Sequence, residues 1–147
     1  ASPTAIVAAG PGAYTQTTGA TITLMNITVP ANSIGANGKM KVERIGTNAN
    51  SASNKVVGTF LAGTGIDGYT FTTTTGYRVV AELQNAGDPA VQLVNNFTGF
   101  GGQGSDTLNR RTINTTVDQA LTITCQLAAA TDHLTLESVE VTLVTQS

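Results

Sequence analysis

The sequence predicts an all-β chain, an antiparallel β-sandwich of jelly-roll type with about eight to ten strands. Three observations predict it. No window sustains an apolar period of 3.6, whereas period-2 alternation recurs from end to end. Glycine, asparagine and proline interrupt that alternation at short intervals. Two long runs also change phase midway: Ile22 and Leu24 give way to Ile27 and Val29, and Leu134 and Leu136 give way to Val139, Val141 and Leu143. A one-residue slip turns every following side chain to the opposite face. A β-bulge near Met25-Asn26 and another near Glu137-Ser138 would therefore keep both halves apolar-inward, as in long strands bent around a curved sandwich.

Taken in order, the first 20 residues hold a short alternating run over 4–9 but are broken by Pro3, Gly10-Pro11-Gly12 and Gly19. Proline lacks the ladder donor and glycine weakens a strand interior, so residues 1–20 read as an extended N-terminal arm. Ile6, Val7 and Tyr14 make that arm apolar, and it either tucks under its own domain or reaches onto a neighbour. Strands are expected over 21–29, 39–45, 55–61, 69–74, 77–85, 91–97, 111–116, 119–128 and 133–144. Asn37-Gly38 and Asp67-Gly68 supply the positive φ that tight turns need, and Asp88-Pro89 marks another turn. No repeat or linker divides residues 21–147, which read as one jelly-roll domain. An immunoglobulin-like sandwich is the runner-up, although the chain has no tryptophan and no second cysteine for that core.

At 147 residues the chain is long enough to bury a core without disulfides. Only 11% of its residues are charged, against roughly 25% in an ordinary soluble domain. Threonine, serine, asparagine and glutamine stand in their place. Lysine and glutamate normally guard strand surfaces and sheet edges, so a β-protein this poor in charge reads either as one that covers its surface with partner subunits or as a robust monomer with an uncharged polar coat. A net charge of −2 with seven Lys and Arg leaves no basic surface for phosphates, which removes nucleic acid as a main partner. Nothing approaches the roughly 18 apolar residues of a membrane helix.

The motifs carry little chemistry. Gly63-Thr64-Gly65-Ile66-Asp67-Gly68 matches the dinucleotide pattern G-x-G-x-x-G, but a strand pattern follows it where a helix N-terminus is required, so it reads as a hairpin turn. The Gly99–Gly104 cluster lacks the Lys-Ser/Thr ending of a phosphate loop and reads as a long loop of the kind that carries partner contacts. His133 is the only histidine, which removes His-cluster metal sites; beside Asp132 it reads as a solvated turn residue. Cys125 is the only cysteine, which excludes a disulfide framework, and it lies on the apolar face of Leu121, Ile123, Cys125 and Leu127 as a buried thiol. The nine carboxylates are scattered and form no calcium loop. No catalytic residue, cofactor or metal is expected, though carboxylates meeting across a cleft, as in a hydrolase, are invisible to sequence.

Four residues beyond the arm are candidates for partner or subunit contacts. Phe97 and Phe100 flank the glycine-rich loop and either stack on a sugar or pack beneath the loop or across a subunit contact. Arg110-Arg111 either anchors an acidic patch of a partner or is a solvated strand end.

The run Val29-Pro30-Ala31-Asn32-Ser33-Ile34-Gly35-Ala36-Asn37-Gly38, then a strand and Asn48-Ala49-Asn50-Ser51-Ala52-Ser53-Asn54-Lys55, resembles a pattern of small jelly-roll structural proteins of tailed bacteriophages. The ending, Leu121 to Ala130 followed by a polar turn and Leu134 to Leu143, resembles them too, so the likeness spans roughly 20–144. It implies a virion protein, commonly a homotrimer, with the major capsid protein as partner. As a cement or decoration protein it would sit on the capsid exterior and bridge capsid subunits; as a tail or fibre module it would bind a host receptor. A carbohydrate-binding module is the alternative outside the virion.

Overall fold

The computed structural model describes residues 4–8, 13–15, 21–95, 109–129 and 131–147, with side chains from residue 21 onward except at 95 and 109. Twelve strands follow one another: β1 (Thr4–Ala8), β2 (Ala13–Thr15), β3 (Thr21–Val29), β4 (Lys39–Thr47), β5 (Lys55–Leu61), β6 (Thr64–Phe71), β7 (Gly76–Asn85), β8 (Gln92–Asn95), β9 (Asn109–Arg111), β10 (Gln119–Leu127), β11 (His133–Thr135) and β12 (Ser138–Val144). They form a six-stranded sheet ordered β1-β12-β4-β7-β8-β9, a four-stranded sheet ordered β3-β10-β5-β6, and a two-stranded ribbon of β11 and β2.

The pairings are nested. Strand β5 pairs with β6, β4 with β7, β3 with β10 and β1 with β12, all antiparallel. A chain folded back on itself in this way and rolled so that successive pairs alternate between two sheets is a jelly roll, the architecture the alternation predicts. Strands β8 and β9 extend the larger sheet beyond β7.

Both sheets turn their apolar positions inward onto one core. Val42 of β4, Val57 of β5, Val94 of β8, Ile123 and Cys125 of β10 and Val141 of β12 are fully buried within it. The Phe71 and Tyr77 rings stack with centroids 4.8 Å apart, and the Tyr77 hydroxyl donates to the Thr135 carbonyl at 2.5 Å.

The expected phase changes fall close to where the sequence puts them. Met25 pairs with Ile123 and Thr23 with Thr124, so Leu24 is an extra residue one position from the predicted bulge. The expected strand 133–144 is interrupted at Leu136-Glu137, where β11 leaves the β2 ribbon and β12 enters the large sheet; Leu134, Leu136, Val139 and Val141 are all buried as a result. Of the first 20 residues, the described pieces fold back on the domain. Val7 pairs with Val141, and Tyr14 pairs with Leu134.

Three expectations need correction. Asp67-Gly68 is not a turn but lies inside β6; the hairpin turn is Ala62-Gly63, with φ of 53° and 77°, two residues between Leu61 and Thr64. Asn37-Gly38 closes a longer loop in which positive φ falls on Asn32 and Gly35, and the Asn37 side chain donates to the Ser147 carbonyl at 3.1 Å. The strand expected over 111–116 stops at Arg111, because Ile113 and Thr115 give their backbone donors to the Gln92 side chain and the Pro89 carbonyl instead of a ladder.

Asp67 points inward because a cation waits there. Arg44 of β4, fully buried, makes a two-pronged ion pair with the Asp67 carboxylate of the opposite sheet, at 3.0 Å for Nη1 to Oδ1 and closer for Nη2 to Oδ2. The same Nη1 donates to Thr59 Oγ1 of β5 at 2.6 Å, and the guanidinium lies 5.5 Å from the Tyr69 ring centroid. Burial, and then the Asp67 charge, push the Tyr69 hydroxyl up to about 12, so it remains a donor, here to the Val80 carbonyl at 3.1 Å.

Two outcomes test this interior. Asp67→Ala strands a buried guanidinium and should cost about 3 to 5 kcal/mol in urea unfolding, whereas the double change Arg44→Met with Asp67→Leu should restore most of that loss; a double variant as weak as the single one would mean the pair contributes more than its own desolvation. Burial pushes the Cys125 thiol up to about 11 from its ordinary 9.0. At pH 8 its thiolate is thus about 100-fold scarcer than in the unfolded chain, so native protein should react with a disulfide reagent at least about 100-fold more slowly than protein in urea.

Candidate functional site

Two buried polar clusters fix the rims of the sandwich. Lys55, fully buried at the start of β5, donates to the Ser51 carbonyl at 3.3 Å, the Ser51 hydroxyl at 2.9 Å and the Ser53 carbonyl at 2.6 Å, and lies 3.6 Å from the Asp132 carboxylate. Three acceptors match the three ammonium protons, so this lysine ties the 48–54 loop to the turn before β11. At the other end, Gln92 of β8 donates to the Ile113 carbonyl at 2.8 Å and to Asn85 Oδ1 at 3.1 Å, while its own carbonyl accepts from Ile113 N at 2.8 Å. Asn85 in turn donates to the Gly35 carbonyl at 2.6 Å and to Thr115 Oγ1 at 3.0 Å, joining three loops at one point.

These ties absorb the residues that looked reactive. Asp132 is buried and accepts from the Ser51 hydroxyl at 2.8 Å, whereas His133 is exposed, so the adjacent pair forms no acid–base dyad. Asp118 accepts from Ala31 N at 2.8 Å and Asp88 from Ala90 N at 2.7 Å, each closing a loop. Glu43 pairs with Arg78 at 2.7 Å on the surface. Among the described residues, no three of His, Cys, Asp and Glu gather where a metal ion could be held.

The candidate contact residues do not converge on one place. Ile6 and Val7 belong to β1, at the edge of the large sheet, and Tyr14 to β2 in the ribbon. Phe97 and Phe100 lie outside the described residues. Arg110 is exposed on the edge strand β9, but its half-buried neighbour Arg111 donates through Nε to the Gly65 carbonyl at 2.7 Å, so it latches the edge of one sheet to the edge of the other. The Arg pair thus divides into one latch and one exposed surface charge, rather than acting as a unit.

What the structure does gather is charge. On the outer face of the large sheet stand Lys39, Lys41 and Glu43 of β4, Arg78 and Glu82 of β7 and Glu140 of β12. A shallow pocket of about 360 Å³ lies among Lys39, Lys41, Glu82, Thr142 and Val144 on that face. Among the described residues, the outer face of the four-stranded sheet carries no charged residue. Its register gives three full rows across the sheet. Asn26, Thr122, Phe60 and Gly65 form one; Thr23, Thr124, Gly58 and Gly68 the next; Thr21, Gln126, Val56 and Thr70 the last.

Phe60 is the aromatic on this face, half-buried, and it stands on a strand rather than beside the glycine-rich loop where the sequence pointed to Phe97 and Phe100. The signal was present in the alternation of β5: Lys55, Val57, Thr59 and Leu61 are buried inward, so Val56, Gly58 and Phe60 must face out.

No family model matches the sequence, and no curated protein matches it. In three dimensions the chain is similar to part of the insecticidal delta-endotoxin Cry8Ea1 of Bacillus thuringiensis, with a TM-score of 0.50 and 10% identity over 91% of this chain and 19% of that one. It is also similar to part of dimeric latent PorU of Porphyromonas gingivalis, with a TM-score of 0.45 and 11% identity over 97% of this chain and 13% of PorU. A third similarity is to VP2 of the infectious bursal disease virus subviral particle, with a TM-score of 0.40 and 12% identity over 96% of this chain and 31% of VP2. The chain spans less than a third of each of these proteins. At such identities the likeness is one of fold, a β-sandwich, and reaches no further.

Proposed function

We propose that this chain is a structural protein of a tailed-phage virion, a cement or decoration protein that sits as a homotrimer on the outside of the head and stabilises the shell by bridging major capsid subunits. The observation that carries the reading is the division of charge between the two outer faces of the sandwich. A face of Lys, Arg and Glu is at home in water, whereas a broad β-face of Thr, Asn, Gly, Val and Phe without one charge has the composition of a surface closed by protein, since charged residues are depleted at the centre of interfaces. The likeness of residues 20–144 to small phage jelly rolls points the same way.

The mechanism needs no chemistry from the chain. A protein that binds the assembled shell and not its dissociated parts stabilises the shell by RT ln(1 + [L]/Kd), about 2.7 kcal/mol at a hundred times Kd. Several weak contacts from one oligomer add through effective concentration. The buried ties at Lys55 and Gln92 suit this work, because a bridge transmits load only if its loops hold their shape.

A second reading, a sugar-binding or receptor-binding module of the tail, draws on the half-buried, outward-facing Phe60 ring, because an aromatic on a flat uncharged sheet is a stacking platform for a pyranose.

Co-sedimentation of the purified chain with assembled shells of its parent virus tests the proposal. Saturable binding at a fixed ratio to capsid subunits, with a raised shell melting temperature, is expected of cement. An oligomer that ignores the shells moves the reading to the tail, and a monomer whose melting temperature rises with oligosaccharide moves it to sugar binding.

A further inference from the structure

Four edge strands bound the sandwich, and the chain treats one of them differently. They are β1 and β9 of the larger sheet and β3 and β6 of the smaller. An edge strand offers unpaired N–H and C=O groups to any other strand, and folds blunt it by shortness, charge, bulges or an inward-pointing charged residue. Strand β9 has three residues and an exposed Arg110. Strand β6 is interrupted at Ile66, turns Asp67 inward and has its Gly65 carbonyl taken by Arg111. Strand β1 is broken in register between Ala5 and Val7.

Strand β3 has none of these guards over its second half. It runs nine residues, Thr21–Val29, without a proline or a charged side chain. Its register breaks at Leu24, and from Met25 to Val29 it pairs with β10 residue for residue. Alternate residues of an antiparallel strand turn N–H and C=O away from their neighbour, and among the described residues these outward groups of Met25–Val29 have no hydrogen-bond partner. The side chains keep a strict alternation over the same stretch. Ile27 and Val29 are buried and Met25 is half-buried against the core, whereas Asn26 and Thr28 are exposed on the outer face.

We infer that a second copy of this chain pairs along this edge, β3 against β3, antiparallel about a two-fold axis at Ile27. Alternation fixes the register. Met25 comes opposite Val29 of the other copy and Asn26 opposite its Thr28, so apolar meets apolar on the core side and uncharged polar meets uncharged polar on the outer side. A slip of one residue would set Met25 against Thr28. The occupant must supply five residues of this alternation without a charge, and β3 itself supplies them, with main-chain bonds providing the affinity. The two-fold contact uses up both edges, so pairing ends at two copies and leaves no edge for open-ended growth. It also joins two four-stranded sheets into one, whose outer face is uncharged across the described residues. The inference goes beyond the cement reading and does not rest on it. A two-fold contact stands in addition to a threefold one and pairs protomers whether free or already part of a larger oligomer.

The experiment is the mass of the full chain in solution, without shells, by sedimentation equilibrium from micromolar to a few hundred micromolar. With rising concentration wild type should reach twice its 15.0 kDa protomer, or twice the mass of any larger oligomer it forms. Thr28→Lys puts a charge on the exposed edge and should weaken this doubling at least about 10-fold. The double change Asn26→Glu with Thr28→Lys should restore it to within about 3-fold of wild type, because the two-fold register sets each new carboxylate opposite the other copy's new ammonium. A variant that had merely misfolded would not recover. Lys41→Glu, on the other sheet, should leave the mass unchanged. A wild type that stays at one protomer mass, or at three times it, across the whole range overturns the inference, as does a doubling that Thr28→Lys leaves intact or that the double change fails to restore. A single protomer that binds shells only while Thr28 is unaltered overturns it too and gives the edge to a capsid strand. Because shells are absent from the mass measurement, a paired chain that ignores them sinks the cement reading alone, and an unpaired chain that saturates them sinks this inference alone.

Discussion

The Arg44–Asp67 pair is the constraint on which the rest of the sandwich depends. It joins β4 of one sheet to β6 of the other through two parallel bonds, with Thr59 and the Tyr69 ring beside the guanidinium and its Nε without a partner among the described residues. A buried ion pair adds little net stability, because desolvation of two charges offsets their attraction. Its effect is on uniqueness. Sliding β6 by one residue would turn Asp67 to solvent and leave a cation in the core, at a cost no apolar gain nearby could match. The bulge at Ile66 and the two-residue turn at Ala62-Gly63 are the local adjustments that bring the carboxylate inward. With β5 and β6 so fixed, the register of the β10 and β3 strands beside them follows by pairing.

The same economy runs through the other buried polar groups. Lys55 and Gln92 each satisfy nearly all of their bonding capacity on loop backbone, and each sits where a sheet gives way to a rim. Loops built this way hold a fixed outline through their own hydrogen bonds. The outward positions need no such care, so threonine fills many of them: it is β-branched, suits an exposed pleated surface and carries no charge. The consequence is a face on the four-stranded sheet that water tolerates and that protein can also cover.

Much of this was legible beforehand. Alternation located β3 and β5 to the residue, since strands with one buried face cannot slip without exposing their apolar set. The phase change in β3 announced its bulge for the same reason. Turn chemistry was a poorer guide: Asp67-Gly68 has the composition of a tight turn, but the buried guanidinium outweighed the local preference and held the aspartate in a strand. The strand expected at 111–116 failed in a similar way, because a single glutamine side chain from β8 offered Ile113 a better partner than any ladder.

By itself, then, the sequence determined an all-β jelly roll poor in charge, with an inert buried cysteine, because burial of one strand face is written in a period of two. Only the tertiary structure decided that charges at Arg44, Asp67 and Lys55 lie inside, that those remaining on described strand surfaces gather on one sheet, and that Phe60 packs beside Gly58 and Gly65 on the other. Those outcomes depend on which strands become neighbours. Pairing between strands as distant as β3 and β10 is set by the closing of the whole roll, and no local pattern records it.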